Sequence, residues 1–221
     1  MCGLSYSRRL ASVAAGLRER KKQKTREEIF EAARELFDKR GFESVTVAEV
    51  ARAADVSQVT VFNYFPTKED LFYAGMQFFE EQLLEAVRSR PPGEPAIKAF
   101  RRRVVEGAEN LGARQRAETI VRSGRIIASS PSLVAREREI VERFTERLAE
   151  LLAAETRSKP DDVEPLAAAA AMMGTHRALV AYTRRRVLAG HRGTSLVDDF
   201  RTQARRAFAR IEKGLEGYAV R

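Results

Sequence analysis

The chain has 221 residues, a formal net charge of +9 and 44% hydrophobic residues. A chain of this length can bury a large core without disulfides or structural metals, and none of its apolar runs approaches the roughly 20 residues that span a bilayer. Cys2 is the only cysteine, and the histidines His176 and His191 lie far apart without a cysteine nearby. We therefore expect a cytoplasmic protein with no membrane segment, no metal site and no cofactor.

The first 26 residues carry most of the positive charge, with eight basic residues and one acidic residue. We interpret residues 1–23 as a basic, flexible arm. A targeting peptide is the alternative, because residues 10–17 are mildly apolar. A basic arm indicates an anionic polymer as the partner, although a solvated tail without a function would have the same charge.

Helix signals recur along the sequence, and strand signals are nearly absent, so the pattern predicts an all-α fold. Thr25 begins a capping box, and the apolar residues after it recur at helical spacing, which predicts a first helix over about 25–40. The proline- and glycine-rich stretch at 91–95 is the clearest break in the chain. The further predicted helices cover about 46–53, 57–64, 67–87, 96–110, 113–128, 131–156, 162–188 and 196–218.

The segment from Val50 to Tyr64 has the spacing of a helix-turn-helix. Asp55 lies at the tight turn, where a left-handed backbone is usual, and Ser57 begins the second helix as its N-cap. Val61 lies four residues after Ser57, and Phe65 lies four residues after Val61, so both point back to the core and the opposite side of this short helix faces outward. The outward residues are Val59, Thr60, Phe62 and Asn63.

An amide, a hydroxyl and apolar groups on such a face can meet base edges and thymine methyl groups in the major groove of double-stranded DNA. Gln58 at the helix start can reach bases or phosphates, and the hydroxyl group of Tyr64 can bind a phosphate. Thr46 and Lys68 begin neighbouring helices, whose N-termini favour phosphate. Thr46 and Glu49 have the spacing of a second capping box. The alternative is a plain helical corner whose aromatic residues belong to the core.

The stretch from Thr25 to Leu71 resembles the DNA-binding region of TetR-type transcriptional regulators. The resemblance rests on Gly41-Phe42, Thr46-Val47, Ala51 to Ser57, Thr60 to Phe65 and Lys68 to Leu71.

Three positions of this stretch depart from the family pattern. Asp55 replaces the usual turn glycine, Val59 stands where glycine is frequent, and Phe62 stands where tyrosine is frequent. The resemblance implies that Phe62 lacks one phosphate contact and that Val59 alters the sequence preference.

The resemblance implies an all-α homodimer with two domains. An N-terminal three-helix helix-turn-helix DNA-binding domain is expected over 24–70, and a C-terminal helical bundle for effector binding and dimerisation over 71–221. The implied function is a repressor that a small-molecule effector releases from an inverted-repeat operator. The implied DNA contacts are Thr46, Ser57, Gln58, Thr60, Asn63, Tyr64 and Lys68, and the outward face adds Val59.

An enzyme and a protein–protein adaptor are the other two classes of protein to compare with a DNA-binding regulator. The sequence has no nucleophile elbow, glycine-rich phosphate loop or metal-ligand cluster, so we do not expect an enzyme. A helical protein–protein adaptor without an effector response remains the alternative. Salt dependence separates the two, because binding to duplex DNA weakens steeply as the salt concentration rises.

The C-terminal half has features of a dimer. Apolar residues recur every seven positions from Val197 to Tyr218, and residues 167–171 are all alanine. These patterns predict a homodimer through residues of about 162–188 and 196–218, although packing within one chain would give the same repeat.

Apolar or adaptable side chains on inward faces are candidates for an effector pocket, although an ordinary core has the same pattern. Arg102, Arg122 and Arg125 would instead suit an anionic effector. The pocket candidates are Met76, Phe79, Phe100, Ile120, Met172, Met173 and His176.

Overall fold

The computed structural model describes residues 3–215 and 217–220, with side chains from residue 20 onward. Within these ranges the chain forms α-helices, one 3₁₀ helix at Gly107–Gly112 and one isolated bridge between Pro95 and Val220. The all-α fold is thereby confirmed. The helices are α1 (Gly3–Arg40), α2 (Val47–Ala53), α3 (Gln58–Tyr64), α4 (Lys68–Arg88), α5 (Ala96–Glu106), α6 (Arg114–Ala128), α7 (Pro131–Thr156), α8 (Glu164–Leu188) and α9 (Gly193–Leu215).

Helix α1 begins much earlier than the sequence predicted. Residues 3–23, predicted as a flexible arm, belong to this helix, and residues 1–2 lie outside the described residues. Side-chain pairs one turn apart support α1 where the added turns meet the predicted helix: Nε2 of Gln23 donates to Oε1 of Glu27 at 2.7 Å, and Lys24 pairs with Glu28 at 3.6 Å. Gly41 ends the helix with a φ of 80°, a conformation that favours glycine.

Contacts divide the chain into two units, Met1–Ala74 and Gly75–Arg221, whereas the sequence predicted a boundary at about residue 70. The first unit contains α1, α2, α3 and the start of α4. An aromatic cluster lies in it, with the rings of Phe37 and Phe42 at 5.2 Å and those of Phe42 and Phe72 at 5.8 Å. Its other buried apolar residues include Ile29, Ala33, Val45, Val50, Ala51, Val61, Phe65 and Leu71.

The second unit has one main apolar core, to which α4, α5, α7, α8 and α9 contribute. The heptad-spaced residues of α9 face into this core: Phe200, Ala204 and Phe208 are buried within the chain. Packing within one chain, one of the two interpretations of the repeat, is therefore confirmed for these positions. The exposed residues of α8 are Glu164, Leu166, Ala167, Ala170, Gly174, Arg177, Ala178, Ala181, Arg185 and Leu188.

A fully buried arginine, Arg90, connects four segments of the second unit. Its Nε donates to the carbonyl oxygen of Glu94 at 2.8 Å. Its Nη1 donates to the carbonyl oxygen of Val87 at 2.5 Å and to Oε1 of Glu155 at 3.0 Å. Its Nη2 donates to Oε2 of Glu155 at 2.5 Å and to the carbonyl oxygen of Ala219 at 2.7 Å. All five N–H groups of the guanidinium are thus used.

None of the helices in the described part of the chain combines the length and the apolar character that crossing a membrane requires.

Candidate nucleic-acid interface

The start of α2 is fixed by the predicted capping box, which is confirmed. The amide of Glu49 donates to Oγ1 of Thr46 at 3.3 Å, and the amide of Thr46 donates to Oε2 of Glu49 at 2.8 Å. Arg40 adds a hydrogen bond of 2.7 Å to Oε1 of the same carboxylate. The bonds from Thr46, and then Arg40, lower the pKa of Glu49 to about 2. The exposed side chain of Thr46 is therefore held at a defined place on the surface.

The turn between α2 and α3 has the predicted geometry. Asp55 has a φ of 52°, in the left-handed region that glycine usually occupies. Oγ of Ser57 accepts a hydrogen bond of 3.0 Å from the amide of Thr60, which confirms the predicted N-cap. The hydroxyl groups of these two predicted DNA contacts also lie 2.8 Å apart and bond to each other.

Helix α3 has one side in the core and the opposite side in solvent. Val61 is 0% exposed and Phe65 is 1% exposed, as their spacing predicted. On the other side, Val59 is 69% exposed and Phe62 is 47% exposed. Gln58 and Asn63 are exposed, and Tyr64 is half-buried.

Lys68 has a structural role that the sequence did not reveal. Its Nζ donates to the carbonyl oxygen of Val45 at 3.0 Å and lies 4.2 Å from the centre of the Phe42 ring. The partners are more than twenty residues away in the sequence, so no local pattern could indicate them. Because an ammonium group has three donors, Lys68 can keep its hydrogen bond to Val45 and still donate to a phosphate.

The described basic side chains near the start of α1 are on the surface. Arg20, Lys21, Lys22 and Lys24 are exposed. Arg26 is half-buried, with its guanidinium carbon 5.4 Å from the centre of the Phe65 ring. A run of exposed cations gives a positive potential that attracts an anionic polymer.

The structure brings together most of the effector-pocket candidates in the second unit. The His176 ring lies 5.6 Å from the ring of Phe79 and 6.4 Å from that of Phe100, and burial lowers the pKa of His176 to about 4. Met172 and Met173 belong to the same core. The other two candidates lie elsewhere: Ile120 packs against a separate cluster of Ala117, Val187 and Leu196, and Met76 is half-buried on α4.

Comparisons with known proteins agree with this architecture. The sequence pattern of the bacterial regulatory proteins of the tetR family matches residues 29–74, and that of the MftR C-terminal domain matches residues 94–216.

The HTH-type transcriptional regulator TcmR of Streptomyces glaucescens is 31% identical over 151 residues, which cover 66% of this chain and 67% of TcmR. MftR of Mycobacterium tuberculosis H37Rv, named as a regulator of mycofactocin biosynthesis, is 28% identical over 170 residues, which cover 74% of this chain and 80% of MftR. The fold is similar to that of NalD, the secondary repressor of the MexAB-OprM multidrug efflux pump in Pseudomonas aeruginosa. The TM-score is 0.52 at 22% identity, over 88% of this chain and 97% of NalD.

The two family patterns match the helix-turn-helix unit and most of the helical unit that follows it, and the second alone covers more than half of the chain. The chain therefore belongs to the TetR family of bacterial transcriptional regulators, with a helix-turn-helix DNA-binding domain followed by a C-terminal helical domain.

Proposed function

We propose that this protein is a repressor that binds an inverted-repeat operator in double-stranded DNA as a homodimer and that a small-molecule effector releases it. Its place of action is the cytoplasm, where bacterial DNA lies. The observation that carries the proposal is the outward side of α3, where Val59 and Phe62 are held in solvent by a helix whose other side is buried. Exposed apolar side chains on a rigid element indicate a binding surface. The exposed cations of α1 favour DNA over a protein partner.

The side chains of the first unit divide into two kinds of DNA contact. The amide groups of Gln58 and Asn63 bind base edges, and Val59 contacts thymine methyl groups. The contacts to phosphate come from Tyr64 and from the starts of α2 and α4, at Thr46 and Lys68, and they fix the register without reading the sequence. Ser57 and Thr60 act mainly through the N-cap that they form together.

The outward face of α8 is the proposed centre of the dimer interface. Its small residues allow a second backbone to approach closely, and Leu166 and Leu188 are 47% and 59% exposed at its two ends. The outward side of α9 completes the interface, because its inward side is already occupied by the core. A two-fold axis through this face presents two copies of α3 to two half-sites.

Selection of bound fragments from genomic DNA tests the proposed function directly. We expect a consensus with two-fold symmetry and half-sites one or more helical turns apart. Failure to enrich any sequence, at salt concentrations where duplex DNA is still bound, would exclude a sequence-specific regulator.

Substitution of Asn63 by alanine is expected to weaken operator binding by about 1–3 kcal/mol and to relax the preference at one base position in each half-site. Tyr64→Ala is expected to weaken binding to all sequences alike, because it removes a phosphate contact. Fluorescence anisotropy with the selected operator and single-base variants measures both effects. Asn110→Ala, at an exposed asparagine of the second unit, is the matched control and is expected to bind normally.

The basic part of α1 is expected to contribute a salt-dependent share of the affinity. Replacing Lys21 and Lys22 by glutamine should lower the slope of log affinity against log salt concentration by up to about two, since each lost phosphate contact changes it by about one. Lys159→Gln, at an exposed position of the loop between α7 and α8, is the control. Equal slopes for all three proteins would show that this segment does not touch DNA.

A further inference from the structure

Within the second unit, the acidic side chain of Glu80 lies in the apolar face of α4. Its side chain is only 6% exposed. The face that carries it also carries Leu83, Leu84 and Val87, which belong to the main core of the second unit. Carboxylates in such a place are normally paired or hydrogen-bonded, because transfer of an unpaired charge from water is costly.

Among the described residues, no hydrogen bond and no ion pair within 4 Å reaches the carboxylate of Glu80, whose oxygens keep only a little contact with water. The charged groups around it are Arg143, Arg147 and Glu81, and Arg147 is already bound to Glu81 through both of its terminal nitrogens. Burial raises the pKa of Glu80 to about 8. A largely buried carboxyl group without a protein partner destabilises the folded state. Such a group is therefore a candidate for a functional site.

The residue next to Glu80 has an aromatic ring that already accepts a cation. The guanidinium carbon of Arg103 lies 4.8 Å from the centre of the Phe79 ring, and the ring of His176 stacks against the same ring. Gly107 allows this arrangement, because a Cβ there would lie 3.0 Å from Cε2 of Phe79. Since the pKa of His176 is about 4, its ring is neutral at pH 7 and adds no positive charge.

We propose that Glu80 is the anchor of the effector site and that the effector is an organic cation, an amine or quaternary ammonium group on an apolar body. The inference rests on the proposed function only in assuming that an effector exists. Its cationic group pairs with the carboxylate, and its apolar part packs against the core side chains and the rings around Phe79. Arg102, one of the three arginines that would suit an anionic effector, is already paired with Glu94.

The pairing couples binding to the ionisation of Glu80. Without the effector the carboxyl is protonated at pH 7, and the cation binds the ionised form, so one proton is released to solvent. For a permanently charged ligand the affinity therefore rises about tenfold per pH unit up to about pH 8. The ligand favours a conformation in which the acid is ionised and paired, which supplies the differential affinity that a switch requires.

The test uses aryl-alkyl trimethylammonium ions and their neutral isosteres, in which a carbon atom replaces the nitrogen. Calorimetric titration of the full chain at pH 6 and pH 8 measures binding. We expect the cations to bind at least tenfold more tightly than their isosteres and to gain affinity with pH. Glu80→Gln should lose both the preference and the pH dependence, whereas Glu85→Gln, at an exposed position of the same helix, should keep them.

Two results would overturn the proposal: wild-type protein that binds no cation of the series better than its isostere, or Glu80→Gln protein that keeps the preference. Circular dichroism and urea unfolding show that the variants are folded. Operator binding is measured on the same samples. If the protein binds its operator but not the cations, only the proposed class of effector is wrong. If the protein binds no specific duplex, the proposed function is wrong.

Discussion

Replacing Arg90 by methionine is expected to lower the free energy of unfolding by about 3–5 kcal/mol. The substitution leaves the Glu155 carboxylate without its bidentate partner and removes the donors from the carbonyl oxygens of Val87, Glu94 and Ala219. Arg90→Lys should recover only part of the loss, because an ammonium group has three donors where the guanidinium uses five. Urea unfolding followed by circular dichroism measures both changes.

The matched control for this prediction is an exposed ion pair of the same unit. Arg114, whose side chain is 91% exposed, pairs with Glu118, and Arg114→Met should cost less than about 1 kcal/mol. The double variant with Arg90 and Glu155 both replaced by methionine should be less destabilised than the sum of the single variants, since neither charge is then left alone. Additive losses, or an Arg90 variant as stable as the Arg114 variant, would show that the buried pair contributes nothing.

The stability of the protein is expected to fall by about 2 kcal/mol between pH 6.5 and pH 8. The pKa of Glu80 is about 8 in the folded protein against 4.5 in the unfolded chain, so the unfolded chain has lost this proton while the folded protein still binds it. Stability therefore falls by about 1.4 kcal/mol per pH unit through this window and no further above pH 8.

His176 acts in the opposite direction at lower pH. Its pKa is about 4 in the folded protein against 6.5 in the unfolded chain, so its contribution to stability rises with pH between these values. The two slopes cancel between about pH 4.5 and pH 6.5, and we expect a plateau there. Glu80→Gln should abolish the fall above pH 6.5, and His176→Asn should make stability fall from about pH 4.5 onward. A fall above pH 6.5 that persists in Glu80→Gln would assign it to another group.

Short-range patterns in the sequence were enough to predict much of the structure of the first unit. The capping box at Thr46, the N-cap at Ser57 and the left-handed residue Asp55 each depend on neighbours within a few positions. The burial of Val61 and Phe65 followed from the helical period alone. These features place the outward side of α3, which is why the candidate site could be predicted residue by residue.

The sequence was a poor guide wherever the answer depended on distant residues. The contact between Lys68 and Val45, the ring partners of His176 and the inward side of α9 are set by packing between helices. The burial of Arg90 could not be predicted, because the sequence around an arginine before two prolines is the same whether its side chain is solvated or buried. Glu80 did give one: it interrupts the apolar face of α4 at helical spacing, where a charge is out of place.

The outward side of α3 keeps its helical shape because the rest of the first unit supports it. Helix α3 has only seven residues, and isolated helices shorter than about 12–15 residues are marginal in water. A synthetic peptide copied from this segment would be unstructured and could not compete for the operator. A helix mimic would need a covalent staple in place of the support that Ser57, Val61 and Phe65 provide. For the same reason, a mutation that weakens this support would lower the affinity for DNA even though it removes no contact to a base.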